Sequence, residues 1–418
     1  MRTVRVSLGS VRRCGANGRK DMGEIRPPRR VAIIGAGPVG LEAALAAAER
    51  GLDFTVYEAA ASPGGYVRRW GQVRLFTPWE MNVSDRARAA LGAQAPAGSA
   101  LPTGEELVER LIEPLAASPA LVGRVRLATG VRAVGREGLL KHEAIGSGER
   151  AARRFRLLVA GPEGAESIEH ADAVIDCSGT YGHPNRLGDG GIDAPGERAF
   201  EDRIERFLPQ LDAQHDEWAG RTVLLTGSGH SAQTAARALA EFARHAPGTK
   251  VIWAVRRPRP DWGTVPGDPL PERASLNRAA EELQRGHSAA VEVRPGRVTE
   301  ALQPSGGRIM VSLRNGNVER VEVDRILALN GGVGDHSLYR QLQVHECYAT
   351  CGPMKLAATL LAGGGGDCLA QTSHGPETLL NPEPGFFILG AKSYGRNSQF
   401  LMSIGWQQVD DVFASLLS

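Results

Sequence analysis

Two glycine triplets carry the clearest chemistry in the 418-residue chain. The first, Gly35-Ala36-Gly37-Pro38-Val39-Gly40, follows the apolar run Val31 to Ile34 and opens an alanine-rich stretch through Arg50. At this spacing Gly35 permits a tight turn, Gly37 lets a pyrophosphate approach the backbone, and Gly40 allows close helix packing, with Pro38 and Val39 beside the ligand. The helix start offers free N–H groups and the positive end of its dipole to phosphate. Phe54 to Tyr57 reads as a second strand ending in Glu58. An acid about 20 residues after the turn accepts hydrogen bonds from an adenosine ribose.

The second triplet repeats the pattern with a different ending. Arg221 to Thr226 leads into Gly227-Ser228-Gly229-His230-Ser231-Ala232, and a helix is expected through Arg244. The next strand, Lys250 to Val255, ends in Arg256-Arg257 where the first ends in an acid. With Ala232 replacing the third glycine, the paired arginines point to NADPH, since a guanidinium fork suits a 2′-phosphate. His230 is expected to shape the NADPH pocket rather than to act as acid or base.

These turns need elements to hold them. Thr103 to Ala117 reads as a helix opened by a Thr103/Glu106 capping box. Val125 to Val134 and Arg154 to Ala160 read as strands. The segment Ala173 to Thr180 runs from an apolar strand into the small-residue turn at Ser178-Gly179, and a comparable segment recurs from Arg325 to Gly332. The second module lies between these two segments. The expected class is therefore α/β, with two Rossmann-like dinucleotide-binding domains, the NADPH domain inserted in the FAD domain. The boundaries expected are a disordered Arg- and Gly-rich extension over 1–28, a first FAD-binding part over 29–198, the NADPH-binding domain over 199–325, and a second FAD-binding part over 326–418.

Gly35, Gly37, Gly40 with Glu58, then Gly64-Gly65, Cys177-Ser178-Gly179, Gly227, Gly229, Ala232 and the Asn330-Gly331 turn resemble the two-dinucleotide-binding-domain flavoproteins, the superfamily of flavin-containing monooxygenases and thioredoxin reductases. The resemblance implies that the first module holds FAD and the second delivers NADPH. It further implies that Gly64-Gly65 approaches the flavin pyrophosphate or ribityl chain and that Ser178-Gly179 contacts the cofactor. The family's Gly-Asp pair near the C-terminus is here Gly390-Ala391, so Asn397 or Ser398 is expected to replace the acid at the start of a final helix over Ser398 to Leu417. The monooxygenases' Phe-x-Gly-x3-His motif is not kept: Phe200, His215 and Trp218 lack that spacing.

What accepts the electrons separates three readings. A small-molecule monooxygenase must shield the reduced cofactor from water. Trp70 to Trp79 and Lys392 to Arg396 are the segments expected at the flavin face, with Arg74 or Lys392 supplying charge to the reduced ring. A disulfide or thiol reductase would use Cys347 and Cys351, which share one face if the segment is helical. Buried structural cysteines are the bland account of the same pair. A zinc site from His345, Cys347, Cys351 and Cys368 fits no common ligand spacing, and no metal is expected. The third reading is a flavin-binding redox sensor that turns over slowly.

Composition narrows the rest. Apolar residues make up 42% and charged ones 23%, with a net charge of +2, which predicts no general attraction to nucleic acid. No apolar run approaches the roughly 20 residues that span a bilayer. The five cysteines, Cys14, Cys177, Cys347, Cys351 and Cys368, are scattered. They suggest a reducing compartment, the cytoplasm.

Overall fold

The computed structural model describes residues 30–363, 369 and 372–417. The extension expected over 1–28, with Cys14, and Cys368 lie outside them.

A five-stranded parallel sheet stands at the centre of the first module. Its order is Phe386–Ile388, Ala173–Asp176, Arg30–Ile34, Asp53–Tyr57, Val125–Arg126. Strand side chains alternate faces, so Val31, Ile33, Ala173 and Ile175 pack under the helices Pro38–Glu49 and Met402–Leu417. Ala32, Ile34, Val174 and Ile388 face the other way, against Phe155, Leu157 and Val159. Those three belong to an antiparallel sheet of Gly130–Arg136, Phe155–Ala160 and Glu166–Ala171. Burial on both faces is why the central strands are apolar throughout.

The second module repeats this plan. Val291–Pro295, Lys250–Val255, Thr222–Thr226, Arg325–Ala328 and Ile204–Glu205 form a parallel sheet in that order. The helix His230–His245 covers one face through Ala232, Ala235 and Leu239, joined by Ala280 and Leu283 of Pro271–Gln284. An antiparallel sheet of Val298–Ser305, Arg308–Asn315 and Asn317–Val323 covers the other through Ile309, Val311 and Leu313. All of it lies in sequence between two neighbouring strands of the first sheet, so one Rossmann-like unit is inserted in the other.

Four local expectations need correction. The division expected between 325 and 326 falls inside Arg325–Ala328, a strand that pairs with Thr222–Thr226, so the second sheet extends through Ala328. The strand expected over Val125 to Val134 is two, broken where Ala128 takes a φ of 48°. The final helix begins at Met402, which leaves Ser398 exposed in the preceding loop. His345 to Cys351 is no helix. Glu346 bridges Pro353, the Cys351 N–H donates to the Cys347 carbonyl at 2.9 Å, and Cys351 takes a left-handed φ of 64°. The Thr103/Glu106 capping box is present as expected, and its helix continues to Ala116 through a π turn at Val108–Ile112.

Candidate active site and cofactor cradles

Both glycine turns sit at the carboxyl ends of the strands, where open α/β sheets leave a crevice. In the first, a Cβ on Gly40 would lie 1.9 Å from the Gly35 carbonyl oxygen, so the helix packs where only glycine fits. A Cβ on Gly37 would meet nothing within 4 Å, and the turn is open on that side. Glu58 is 8% exposed. Its Oε2 accepts from the Ala36 N–H at 2.7 Å and its Oε1 from the Ala60 N–H at 2.8 Å. Each carboxylate oxygen keeps a further acceptor site, the capacity a ribose needs. Gly64 donates its N–H to the Ala36 carbonyl at 3.1 Å, which sets Gly64-Gly65 on the same turn.

The second turn is framed by two tryptophans that the sequence reading missed. A Cβ on Gly227 would lie 2.2 Å from the Leu329 carbonyl oxygen, whereas one on Gly229 would meet nothing within 4 Å. The Trp253 indole donates to the Gly227 carbonyl at 2.8 Å and packs on Trp262, ring centroids 4.8 Å apart. The Gln233 amide donates to the carbonyls of Ser228 and Trp262. Ser231 and His230 open the helix over the turn, and Arg256 and Arg257 are exposed at the end of the neighbouring strand. Neither guanidinium has an ion-pair partner among the described residues, in contrast to Arg294 and Arg297, which share Glu319.

Between the turns the chain builds a buried ion pair. Asp176 ends the strand beside Ile34, and the Lys392 ammonium donates to its Oδ2 at 2.5 Å, with both side chains at most 1% exposed. Lys392 also donates to the Asp335 carbonyl at 2.8 Å and the Ser178 hydroxyl at 3.2 Å. Ser178 gives its N–H and hydroxyl to Asp176 Oδ1, fixing the Ser178-Gly179 turn. Lys392 is therefore not the free cation expected at the flavin face: its charge is neutralised by an acid 216 residues away. Arg74 is also displaced from that role, being exposed with one N–H on the Leu101 carbonyl at 2.6 Å. Gly390 sits over the first turn of the Pro38–Glu49 helix, where its Cβ would lie 3.4 Å from Val39, and its N–H donates to Gln408 at 2.9 Å.

Removing one partner of such a pair strands the other. Lys392→Met is expected to cost about 3–5 kcal/mol. The double variant Asp176→Asn/Lys392→Met should recover most of that, as read by urea unfolding.

Cys177, Tyr181 and His230 mark the crevice. None of the three residues is fully buried. Yet desolvation pushes the Cys177 thiol and the Tyr181 hydroxyl up, and desolvation followed by the Arg273 charge holds the His230 imidazole down. All three lie beside the crevice at the carboxyl ends of the strands. Its walls are aromatic. Phe76 meets His230 edge to face at 5.1 Å, joining the first module to the second glycine turn. Trp70 packs on Tyr181 and Tyr181 on Phe207, each at 6.0 Å. Trp79, expected with them, is a core residue, 2% exposed.

Cys347 and Cys351 lie outside these walls, in the turn that packs on the loop after Gly390: the Arg396 N–H donates to the Thr350 carbonyl at 2.8 Å. The Cys347 thiol accepts from the Thr350 hydroxyl and from backbone N–H groups of Thr350 and Ala349, which hold it below the ordinary thiol value.

Comparison with known proteins agrees with this architecture. Short stretches of 44 and 39 residues are 54% identical to a probable N-methylproline demethylase of Rhizobium meliloti and to the dihydropyrimidine dehydrogenase subunit PreT of Escherichia coli. They cover 10% and 9% of this chain and only 6% and 10% of those proteins. Among solved structures, the bacillithiol disulfide reductase of Bacillus cereus superposes with a TM-score of 0.66 at 17% identity, covering 93% of this chain and 98% of that one. An ornithine N-hydroxylase from Kutzneria does so at 0.62 and 15%, covering 93% and 99%. The thioredoxin reductase of T. acidophilum gives 0.58 and 16%, covering 93% and 100%. These likenesses bear on the fold, and they span reductases and hydroxylases alike. A family model described as pyridine nucleotide-disulphide oxidoreductase matches residues 29–347. The chain belongs to that family.

Proposed function

We propose that the chain is an NADPH-dependent FAD oxidoreductase acting on a small molecule, with oxygen as electron acceptor, in the manner of a monooxygenase. The carrying observation is the pairing of the acid-ended cradle with one ended by two unpartnered arginines, across an aromatic crevice that lacks a ready thiolate. Cys177, the thiol nearest the first turn, is shifted towards its neutral and unreactive form. Bound in these cradles, FAD would supply the redox chemistry and NADPH the reducing equivalents.

The chain's own residues bind and orient. Glu58 takes the ribose and the open side of Gly37 takes the pyrophosphate. Gly64, Gly65, Ser178, Gly179 and Gly390 form the backbone bed, and Ser228, Gly229, His230 and Ser231 the NADPH turn. Arg256 and Arg257 clamp the 2′-phosphate. Trp70, Phe76 and Tyr181 keep water from the reacting atoms. No helix among the described residues is long and apolar enough to cross a membrane.

A second reading, a thiol reductase using Cys347 and Cys351, draws support from the hydrogen bonds that favour the Cys347 thiolate. Rapid mixing with NADPH, followed by oxygen or by an aromatic disulfide, separates the readings. Cys347→Ser should leave NADPH oxidation in air unchanged under the first and abolish disulfide reduction under the second. Bound flavin that NADPH barely reduces would instead mark a sensor.

A further inference from the structure

Three aromatic rings and one guanidinium meet at the seam between the modules. Trp70 and Arg69 follow the Gly64-Gly65 turn, Tyr181 follows Ser178-Gly179, and Phe207 follows the edge strand Ile204–Glu205 of the second sheet. Trp70, Tyr181 and Phe207 form a ladder at 6.0 Å per step. The Gln72 amide donates to the Leu208 carbonyl at 2.6 Å and holds the two sides together.

Arg69 stacks on Phe207, its guanidinium carbon 3.8 Å from the ring centroid. A stacked guanidinium keeps its in-plane N–H fork free, the geometry that grips a carboxylate with two bonds. Its neighbour shows the contrast. Arg68 is committed to Glu105 and Glu113, whereas Arg69 is exposed with no acid in reach among the described residues. Two more observations point to a ligand. The Trp70 indole N–H is buried without an acceptor, which costs free energy unless something pairs with it. Tyr181 is 50% exposed, a large aromatic surface left open within the cleft.

Resting on the reading of this cleft as a small-molecule oxidoreductase site, we propose that Trp70, Tyr181, Phe207 and Arg69 form the substrate subsite and that it takes a small aromatic carboxylate. The planar body lies against the exposed surface of Tyr181 at the side of the ladder, and Arg69 fixes the acid. Residues on both modules contribute, so the subsite is complete only when the modules are closed on each other.

The test uses the FAD-loaded protein and two probes of one shape, indole-3-acetate and its neutral amide, indole-3-acetamide, titrated calorimetrically. The acid is expected to bind about tenfold or more tightly than the amide, as a charge-assisted pair implies. Arg69→Met should erase that preference, and Tyr181→Leu should weaken both probes, with FAD content unchanged in each. Equal binding of acid and amide to the unaltered protein overturns the proposal. So does a preference that survives Arg69→Met, loss of FAD in that variant, or displacement of the acid by saturating NADP+, which would give the ladder to the nicotinamide. Reduction of the flavin by NADPH is followed on the same samples. Its failure with the acid preference intact would sink the oxidoreductase reading and leave the subsite standing.

Discussion

Arg256→Ala combined with Arg257→Ala is expected to raise the KM for NADPH about a hundredfold or more while leaving that for NADH within a few-fold. Each guanidinium–phosphate contact contributes about 1.5–3 kcal/mol, and about 1.4 kcal/mol is tenfold. NADH lacks the 2′-phosphate and has nothing to lose. Both arginines are exposed and have no ion-pair partner among the described residues, so their charge is available to the ligand without first breaking an internal ion pair. Exposure also makes the effect salt-dependent: raising ionic strength should shrink the NADPH preference of the unaltered enzyme. Steady-state kinetics with both nucleotides checks this. Parallel rises in the two KM values would remove the arginines from the phosphate.

Glu383→Ala is expected to destabilise the protein by about 3–5 kcal/mol, because it strands two buried cations. Arg136 donates to Glu383 at 2.6 Å and Arg150 at 2.7 Å, with all three side chains at most 1% exposed. The Gln343 N–H adds a third bond at 2.7 Å. The cluster ties the antiparallel sheet, through Arg136, and the short helix Gly148–Ala152, through Arg150, to the lead-in of the strand Phe386–Ile388. Gly390 lies two residues beyond that strand, so the damage should reach the flavin cradle.

Burial works to raise the Glu383 carboxyl, but the bonds from Arg150, the Gln343 N–H and Arg136 outweigh it and hold the group below the usual glutamate value. A depressed acid gives stability that is present above the unfolded pKa of about 4.3 and is lost as pH falls through the folded value. Glu383→Gln should therefore flatten the acid limb of the stability curve, as read by urea midpoints between pH 7 and pH 3. Parallel acid limbs in the two proteins would show that Glu383 carries no such linkage.

Features confined to a few neighbouring residues were legible in the sequence. Each glycine turn declares itself through a strand, a helix start and a terminal charge within about 30 residues, and the Thr103/Glu106 box is likewise local. Contacts between distant segments left no such mark. Asp176 reads as the end of an apolar strand, and nothing near it announces Lys392. An acid closing an otherwise apolar run was the one available signal. The aromatic ladder draws on three segments spread from Trp70 to Phe207, so no local pattern joins Trp70, expected at the flavin face, to Tyr181 and Phe207. The Cys347/Cys351 spacing suggested a helix, but it is equally compatible with the tight turn that the left-handed Cys351 and the Glu346–Pro353 bridge impose. Asn397 and Ser398 resemble helix-capping residues, yet the helix waits until Met402.

Two phosphate cradles serving one redox centre are the premise of the proposed function. Anaerobic titration of the purified protein with NADPH, followed by its visible spectrum, tests this most directly. A yellow protein that NADPH bleaches far more effectively than NADH is the predicted result. A colourless protein that takes up no added FAD would contradict it.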